Sequence, residues 1–348
     1  MTRVVKIGNV KIGGGNPVLI QSMTNTDTRD VEATAAQILA LEDAGCQIVR
    51  SSVYDVDCAR AIPSIKSHIH IPLVADIHFD YRLAIAAMEN GVDKIRFNPG
   101  NIGDDKHVEQ VVACARAHRV PIRIGVNAGS LEKQFMCLPI AEAMVQSALR
   151  NVSLLESAGF YDTVISLKSS TVKSTVEAYR RISSVVDYPL HIGVTEAGTR
   201  EIGEIKSAIG IGSLLLDGIG DTLRVSLTGD VIQEVEAAKK ILRALGINLD
   251  DVEIVSCPTC GRTGVNLQDA VAFVNANIHH NAGYLKIAVM GCAVNGPGEA
   301  RDADIGIAFG KGNGVLFERG EQVASGSAQQ MLELLVSKAN ERLKAASI

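Results

Sequence analysis

The chain has no tryptophan, and only 4% of its 348 residues are aromatic. A surface that stacks nucleobases needs exposed rings, so this scarcity argues against single-strand nucleic-acid binding. A basic excess is missing as well. The 34 Lys and Arg residues face 39 Asp and Glu, a net charge of −5, which is no nucleic-acid signature. No apolar run reaches membrane-spanning length. The opening stretch MTRVVKIGNVKIGGG lacks the apolar core of a signal peptide. These absences predict a cytoplasmic protein with neither membrane nor nucleic acid as partner. Seven cysteines is an odd number, and a reducing cytosol disfavours a disulfide framework.

The cysteines divide into two groups. Cys46, Cys58, Cys114 and Cys137 are scattered through the first half and read as small buried or semi-buried residues. The other three are spaced for chemistry. Cys257-Pro258-Thr259-Cys260 is a CxxC turn, which brings two sulfurs toward one place. Cys292 lies in the Gly/Pro-rich loop MGCAVNGPGE, 290–299, able to close on the same place. Thiolates are soft ligands that suit zinc or an iron–sulfur cluster. A structural zinc site fills four positions with Cys or His, but only three cysteines follow residue 250. His279 and His280 are the available completion, and they follow a helix-like stretch. A cluster held by three thiolates leaves one iron available for chemistry. On spacing alone, Glu299 reads as a surface carboxylate beside Arg301.

From residue 17, short apolar runs alternate with helical patterns. The predicted strands are PVLIQSM (17–23), CQIVRSSV (46–53), PLVADI (72–77), KIRFNPG (94–100), PIRIGVN (121–127), TVISLKS (163–169), LHIGVTE (190–196) and SLLLDGI (213–219). Helical patterns include 30–44, 81–90, 108–118 and 231–245. Eight such units, with strands that are apolar on both faces, predict an α/β architecture closed as a TIM-type (β/α)8 barrel. An open doubly wound sheet is the competitor, but no GxGxxG follows the first strand. The barrel is expected over 1–248, ending at Gly246-Ile247-Asn248. Over 249–348 a smaller α+β domain is expected: a strand, the cysteine loop, a helix, a strand, the second loop, a hairpin turned at 310–314, and a terminal helix from about 327 with Ser327 as its cap.

Barrel active sites form at the C-terminal strand ends, and polar residues collect there: Arg50, Asp76, His78, Arg96, Asn98, Arg123, Asn127, Lys168, Thr195, Glu196, Asp217, Asp221 and Arg224. Residues two apart share a strand face. Arg96 and Asn98 therefore point the same way, as do Arg123 and Asn127, while Ile95, Phe97, Ile122 and Ile124 face the helices. One such Arg alone reads as a salt-bridge partner of Asp76, Glu196 or Asp217. Arg50, Arg96, Arg123 and Lys168 together read as an anion cradle, because buried cations are costly without an arriving anion and Arg forks onto phosphate. The Gly218–Asp221 turn is expected to add backbone N–H groups to it. His191, early in its strand, reads as structural.

CPTCGRTGVNLQ and VMGCAVNGPGEARDADIG, with VADIHFDYRLA, IRFNPGN, RIGVNAGSL, LKSS, GVTEAG and LLDGIGDTLRVSLT in the same order, resemble the 4-hydroxy-3-methylbut-2-enyl diphosphate synthase family over nearly the whole chain. The resemblance implies one [4Fe-4S] cluster per chain on Cys257, Cys260, Cys292 and Glu299, in a domain like that of sulfite reductases. It implies a cyclic diphosphate substrate bound by Arg and Lys residues of the barrel, with Asn98 and Asn127 beside them, and Glu196 as the catalytic glutamate. The implied electron donor is flavodoxin or ferredoxin. It also implies a head-to-tail homodimer in which the barrel of one chain faces the cluster domain of the other. The expected reaction is reductive ring opening of 2-C-methyl-D-erythritol 2,4-cyclodiphosphate to 4-hydroxy-3-methylbut-2-enyl diphosphate, in non-mevalonate isoprenoid synthesis. The competing reading is a barrel lyase or aldolase with a structural zinc domain, where Lys168 would form a Schiff base.

Overall fold

The computed structural model describes residues 1–78, 80–98, 105–247, 251–280, 283–292, 298, 300 and 302–346. It divides into two compact units, Met1–Ile247 and Asn248–Ile348.

In the first unit, eight parallel strands stand in the order β8-β7-β6-β5-β4-β3-β10-β9. They are β3 (Leu19–Met23), β4 (Ile48–Ser52), β5 (Leu73–Asp76), β6 (Lys94–Phe97), β7 (Ile122–Asn127), β8 (Thr163–Lys168), β9 (His191–Ile192) and β10 (Thr222–Leu223). A parallel bridge between Ile165 and Leu190 closes β8 onto β9. Helices α1 (Val31–Asp43), α2 (Val56–Lys66), α3 (Tyr81–Glu89), α4 (Asp105–His118), α5 (Ile140–Ser157), α6 (Val172–Ser183), α7 (Arg200–Leu216) and α8 (Val231–Ala244) separate them. Several helices start on a side chain that takes an orphan backbone N–H. Asp30 caps α1, Asp55 caps α2, Asp80 caps α3 and Asp230 caps α8. Ile95, Phe97, Ile122 and Ile124 join the helix faces in the main core, as strand parity requires.

The other face of each strand lines the barrel interior. Its lowest layer is apolar: Leu19, Ile48, Val74 and Val164. An antiparallel hairpin, β1 (Val5–Ile7) with β2 (Val10–Ile12), seats Val5, Ile7 and Ile12 against that layer. The N-terminal end of the barrel is thereby plugged, leaving the C-terminal end for chemistry.

One predicted strand is wrong. SLLLDGI, 213–219, is the last turn of α7 and its exit, and the eighth strand is the two-residue β10 that follows. The Gly218–Asp221 turn and Asp217 therefore precede the strand and lie at the opposite end from the cation set. Asp217 pairs with Arg180 Nε at 2.7 Å. Asp221 accepts from the Leu190 amide and the Thr2 hydroxyl, both at 2.7 Å. None of these serves the barrel mouth.

The second unit is a five-stranded sheet, β11 (Val252–Ser256), β12 (Leu285–Met290), β13 (Ile305–Phe309), β14 (Asn313–Glu318) and β15 (Glu321–Ser327), in sequential order. The first three strands are parallel and the last three antiparallel. Helix α9 (Leu267–Asn277) and the terminal helix Ala328–Ala346 pack on it. The hairpin at 310–314 forms as expected. The stretch 324–327 is the end of β15, and Ser327 Oγ takes the Gln330 amide at 3.4 Å as the expected cap.

Candidate active site

The interior of the barrel is unusually cationic. Arg50, Lys94, Arg96, Arg123 and Lys168 are each no more than 9% exposed. Among the described residues of this unit, the buried carboxylates are Asp76 and Glu234. Strand register explains the clustering. Met23 stands beside Arg50, Asp76 beside Arg96, Arg96 beside Arg123, and Asn127 beside Lys168.

Asp76 is the hub. Arg96 Nη1 donates to its Oδ1 at 3.0 Å, and Arg50 Nε lies 3.6 Å from its Oδ2. His78 Nε2 is 3.9 Å from the same carboxylate. Arg50 also rests on sulfur, with Nε and Nη2 3.2 and 2.8 Å from Met23 Sδ. Arg96 Nη2 donates to the Gly125 carbonyl at 3.0 Å, and Arg123 Nη1 donates to Ser166 Oγ at 3.1 Å. Arg224 is held by Glu234 of α8 at 3.2 Å, and Glu234 also takes the Ser22 hydroxyl and the Leu227 amide. Salt bridging thus accounts for part of the set, through Asp76.

What remains is the signature of an anion site. The donors Arg96 Nε, Arg123 Nε and Arg123 Nη2 are buried without a hydrogen-bond partner. Buried donors without partners cost free energy that an incoming acceptor recovers. Burial, then repulsion from Arg224 and Arg96, pushes Arg50 down to about 10 against the attraction of Asp76. Burial followed by the neighbouring cations pushes Arg123 and Lys168 well below their ordinary values. In these groups burial and mutual repulsion outweigh the attraction of Asp76 and Glu234, and a polyanion between them supplies the counter-charge that is short.

The sequence-predicted residues fall as follows. Arg50, Arg96, Arg123, Lys168 and Asn98 line one buried interior, with Asn127 half-buried at the end of β7. Glu196 is exposed in the loop after β9, at a left-handed φ of 52°. His191 is fully buried, its Nδ1 2.9 Å from Thr222 Oγ1. Two participants were missed: Lys94 and Glu234. Lys94 carried a signal, since it shares strand parity with Arg96. Glu234 carried none, because a carboxylate inside a helix reads as a solvent face.

In the second unit, β11 and β12 are parallel neighbours, so both cysteine loops leave the same sheet edge. The Gly291 amide donates to Cys257 Sγ at 3.2 Å, which places the start of the second loop against the first cysteine. Gly264 N donates to the Gly291 carbonyl at 2.9 Å. Thr263 ties the loop to Cys260, its hydroxyl accepting from the Cys260 amide at 3.1 Å. Cys257 and Cys292 are half-buried and Cys260 is exposed. Glu299 lies outside the described residues. Among those described, no three His, Cys, Asp or Glu side chains gather as they would around a single metal ion. The histidines do not complete a tetrahedron either. His280 meets Asp251 Oδ1 and the Asn275 carbonyl with its two ring nitrogens. Two cysteine loops that leave the same end of neighbouring parallel strands, one sulfur already accepting a backbone N–H, offer the soft ligand set that an iron–sulfur cluster takes. In the first half Cys46 and Cys58 are buried as expected, whereas Cys137 is exposed.

Comparisons with known proteins cover the chain from end to end. Residues 2–239 match the GcpE TIM-barrel domain and residues 253–341 the GcpE protein C-terminal domain. The chain is 55% identical over 346 residues to a 4-hydroxy-3-methylbut-2-en-1-yl diphosphate synthase (flavodoxin) of Fusobacterium nucleatum subsp. nucleatum, covering 99% of this chain and 98% of the relative. It is 57% identical over 349 residues to the enzyme of the same name from Caldanaerobacter subterraneus subsp. tengcongensis, again covering 99% and 98%. Among solved structures, dihydropteroate synthase of Yersinia pestis aligns with 71% of this chain and 100% of its own, at a TM-score of 0.51 and 11% identity. That likeness supports the barrel fold alone.

Proposed function

Because this chain belongs to the GcpE family of 4-hydroxy-3-methylbut-2-en-1-yl diphosphate synthases, we propose that its barrel binds 2-C-methyl-D-erythritol 2,4-cyclodiphosphate for two-electron reductive ring opening. The product is 4-hydroxy-3-methylbut-2-enyl diphosphate, and one oxygen leaves as water. The balance requires two electrons and two protons per substrate. The observation that carries the reading is the excess of buried cations over carboxylates in the barrel, with guanidinium donors left unpartnered.

The residues of the chain divide the work. Arg50, Arg96, Arg123 and Lys168 hold the diphosphate, with Asn98 and Asn127 orienting it through directional hydrogen bonds. Asp76 keeps Arg50 and Arg96 from swinging apart before substrate arrives. Glu196, exposed on its strained loop, is the residue proposed to deliver or steer the proton that accompanies loss of the oxygen. Cys257, Cys260 and Cys292, with Glu299, are proposed to hold one [4Fe-4S] cluster per chain. When bound, that group supplies electrons singly and a Lewis-acidic iron. Flavodoxin, named for the relatives, is the proposed donor, with ferredoxin as the substitute. The working form is proposed to be a head-to-tail homodimer in the cytoplasm, the barrel of one chain serving with the cluster unit of its partner.

Two experiments test this. The first is iron, sulfide and zinc content of anaerobically purified protein, followed by the cyclic diphosphate assay. About four irons and four sulfides per chain with reductant-dependent turnover support the reading. Stoichiometric zinc without sulfide, even after anaerobic reconstitution, sinks it. The second mixes an Arg123→Ala chain with a Cys260→Ser chain. Recovered activity supports shared sites, and none from a proven heterodimer refutes them.

A further inference from the structure

Lys94 lies deeper in the barrel than the residues assigned above. It is fully buried on β6, two residues before Arg96 and on the same face. Its one hydrogen bond among the described residues is to Gln21 Oε1 at 3.3 Å. The groups around it are known from every neighbouring strand. Gln21 faces it from β3, Arg50 from β4, Arg123 from β7 and His191 from β9. Thr222 of β10 is occupied with His191, Lys168 of β8 stands next to His191, and Asp76 of β5 is already engaged by Arg50 and Arg96. Among the described residues, no carboxylate pairs with Lys94. Gln21 Nε2 and His191 Nε2 in the same layer are also buried without partners.

A charged ammonium is expensive in such a place. Burial first, then Arg123 and Arg50, holds Lys94 well below the ordinary lysine value in the free protein. A residue that contributed only to folding would be better replaced by an apolar side chain. A lysine kept below a layer of phosphate-binding arginines has another use. A polyanion entering that layer cancels the repulsion from Arg123 and Arg50 and makes protonation of Lys94 favourable.

We propose that Lys94 is a further positioning residue of the diphosphate site, the floor of the cradle, which takes a proton from solvent when the diphosphate binds above it. The amine gains one proton and a positive charge, and no other bond changes. The added charge then holds the anion from below. This rests on the diphosphate-binding reading given above, and the test separates the two.

Binding of the cyclic diphosphate to the cluster-loaded enzyme, without reductant so that no turnover occurs, is measured by calorimetry. Buffers of different ionisation enthalpy report proton uptake, and the pH is stepped up to the ordinary lysine value of about 10.4. Wild-type enzyme is expected to take up about one proton more per chain than Lys94→Met at the maximum, with the variant binding about tenfold more weakly. Lys168 is present in both, so its contribution cancels. The variant is expected to melt no lower than wild type, because a desolvated amine is replaced by an apolar side chain of similar length, a combination a purely structural lysine does not give. Lys94→Gln repeats the measurement should the methionine variant fold poorly. Equal proton uptake by wild type and either variant at every pH overturns the proposal. Absence of binding by wild type overturns the diphosphate reading itself, and this inference with it.

Discussion

Arg96 and Gly125 share one volume inside the barrel. A Cβ on residue 125 would stand 2.2 Å from Arg96 Nε, and Arg96 Nη2 donates to the Gly125 carbonyl at 3.0 Å. The glycine is therefore required by the side chain of its neighbour on β6, since its own backbone has no left-handed twist to accommodate. Strand and cation fit together because the position opposite the guanidinium carries no side chain.

Gly125→Ala is the direct test of this fit. The methyl displaces a buried guanidinium from its partners, so the variant should keep the wild-type circular dichroism but melt lower, by about 1–3 kcal/mol. The guanidinium loses the Gly125 carbonyl and its line to Asp76. A misplacement of this size in a positioning group is expected to raise KM about ten- to a hundredfold. An unchanged KM would show that Arg96 does not hold substrate in the position seen here.

Asp76 gives a prediction about counter-charge. Burial alone would raise its carboxyl, yet the charges of Arg50, Arg96 and Arg123 hold it below the usual carboxylate value. Asp76→Asn keeps the shape and leaves Arg50 and Arg96 without their shared anion, for a loss of about 3–5 kcal/mol. Since the folded value lies below the unfolded one, the contribution of Asp76 is fully present above about pH 4 and fades as pH falls through the folded value. Wild type and variant should converge in stability in acid. Millimolar pyrophosphate should narrow the gap at neutral pH, because an added anion replaces the missing one. A melting difference indifferent to both pyrophosphate and acid would mean that the loss has nothing to do with charge.

Much of this site was legible before the fold was known. Period-two parity put Arg96 with Asn98 and Arg123 with Asn127, and the strands bear the pattern out by sending Ile95, Phe97, Ile122 and Ile124 to the helices. The same parity marks Lys94, one step earlier on β6. The eighth strand was not legible for a physical reason. β10 is only Thr222–Leu223, too short to make an apolar run, while the end of α7 offers Leu214, Leu215 and Leu216 in succession. Two of those leucines are buried and Leu216 is exposed, which is a helical arrangement that a three-residue run cannot disclose. That slip carried the Gly218–Asp221 turn to the wrong end of the barrel. The hairpin Val5–Ile12 escaped notice because its partner surface, the floor of the barrel, is assembled from four distant strands.

Glu196 supplies a prediction in which stability and activity move oppositely. It is an exposed non-glycine residue at φ 52°, in the loop leaving β9. A side chain in the left-handed region costs on the order of 1 kcal/mol, and such positions persist where the side chain has a task. Glu196→Gly should relieve the strain and raise stability by about 1 kcal/mol. The carboxylate is lost in the same change, and kcat should fall about 10²- to 10⁴-fold, the range of a general acid or base. Glu196→Gln separates the two effects. It keeps the backbone strain and the shape, so its melting temperature should match wild type, while kcat falls as far as in the glycine variant. A glutamine variant with wild-type kcat would remove Glu196 from the proton chemistry and leave its backbone conformation as a feature of the loop alone.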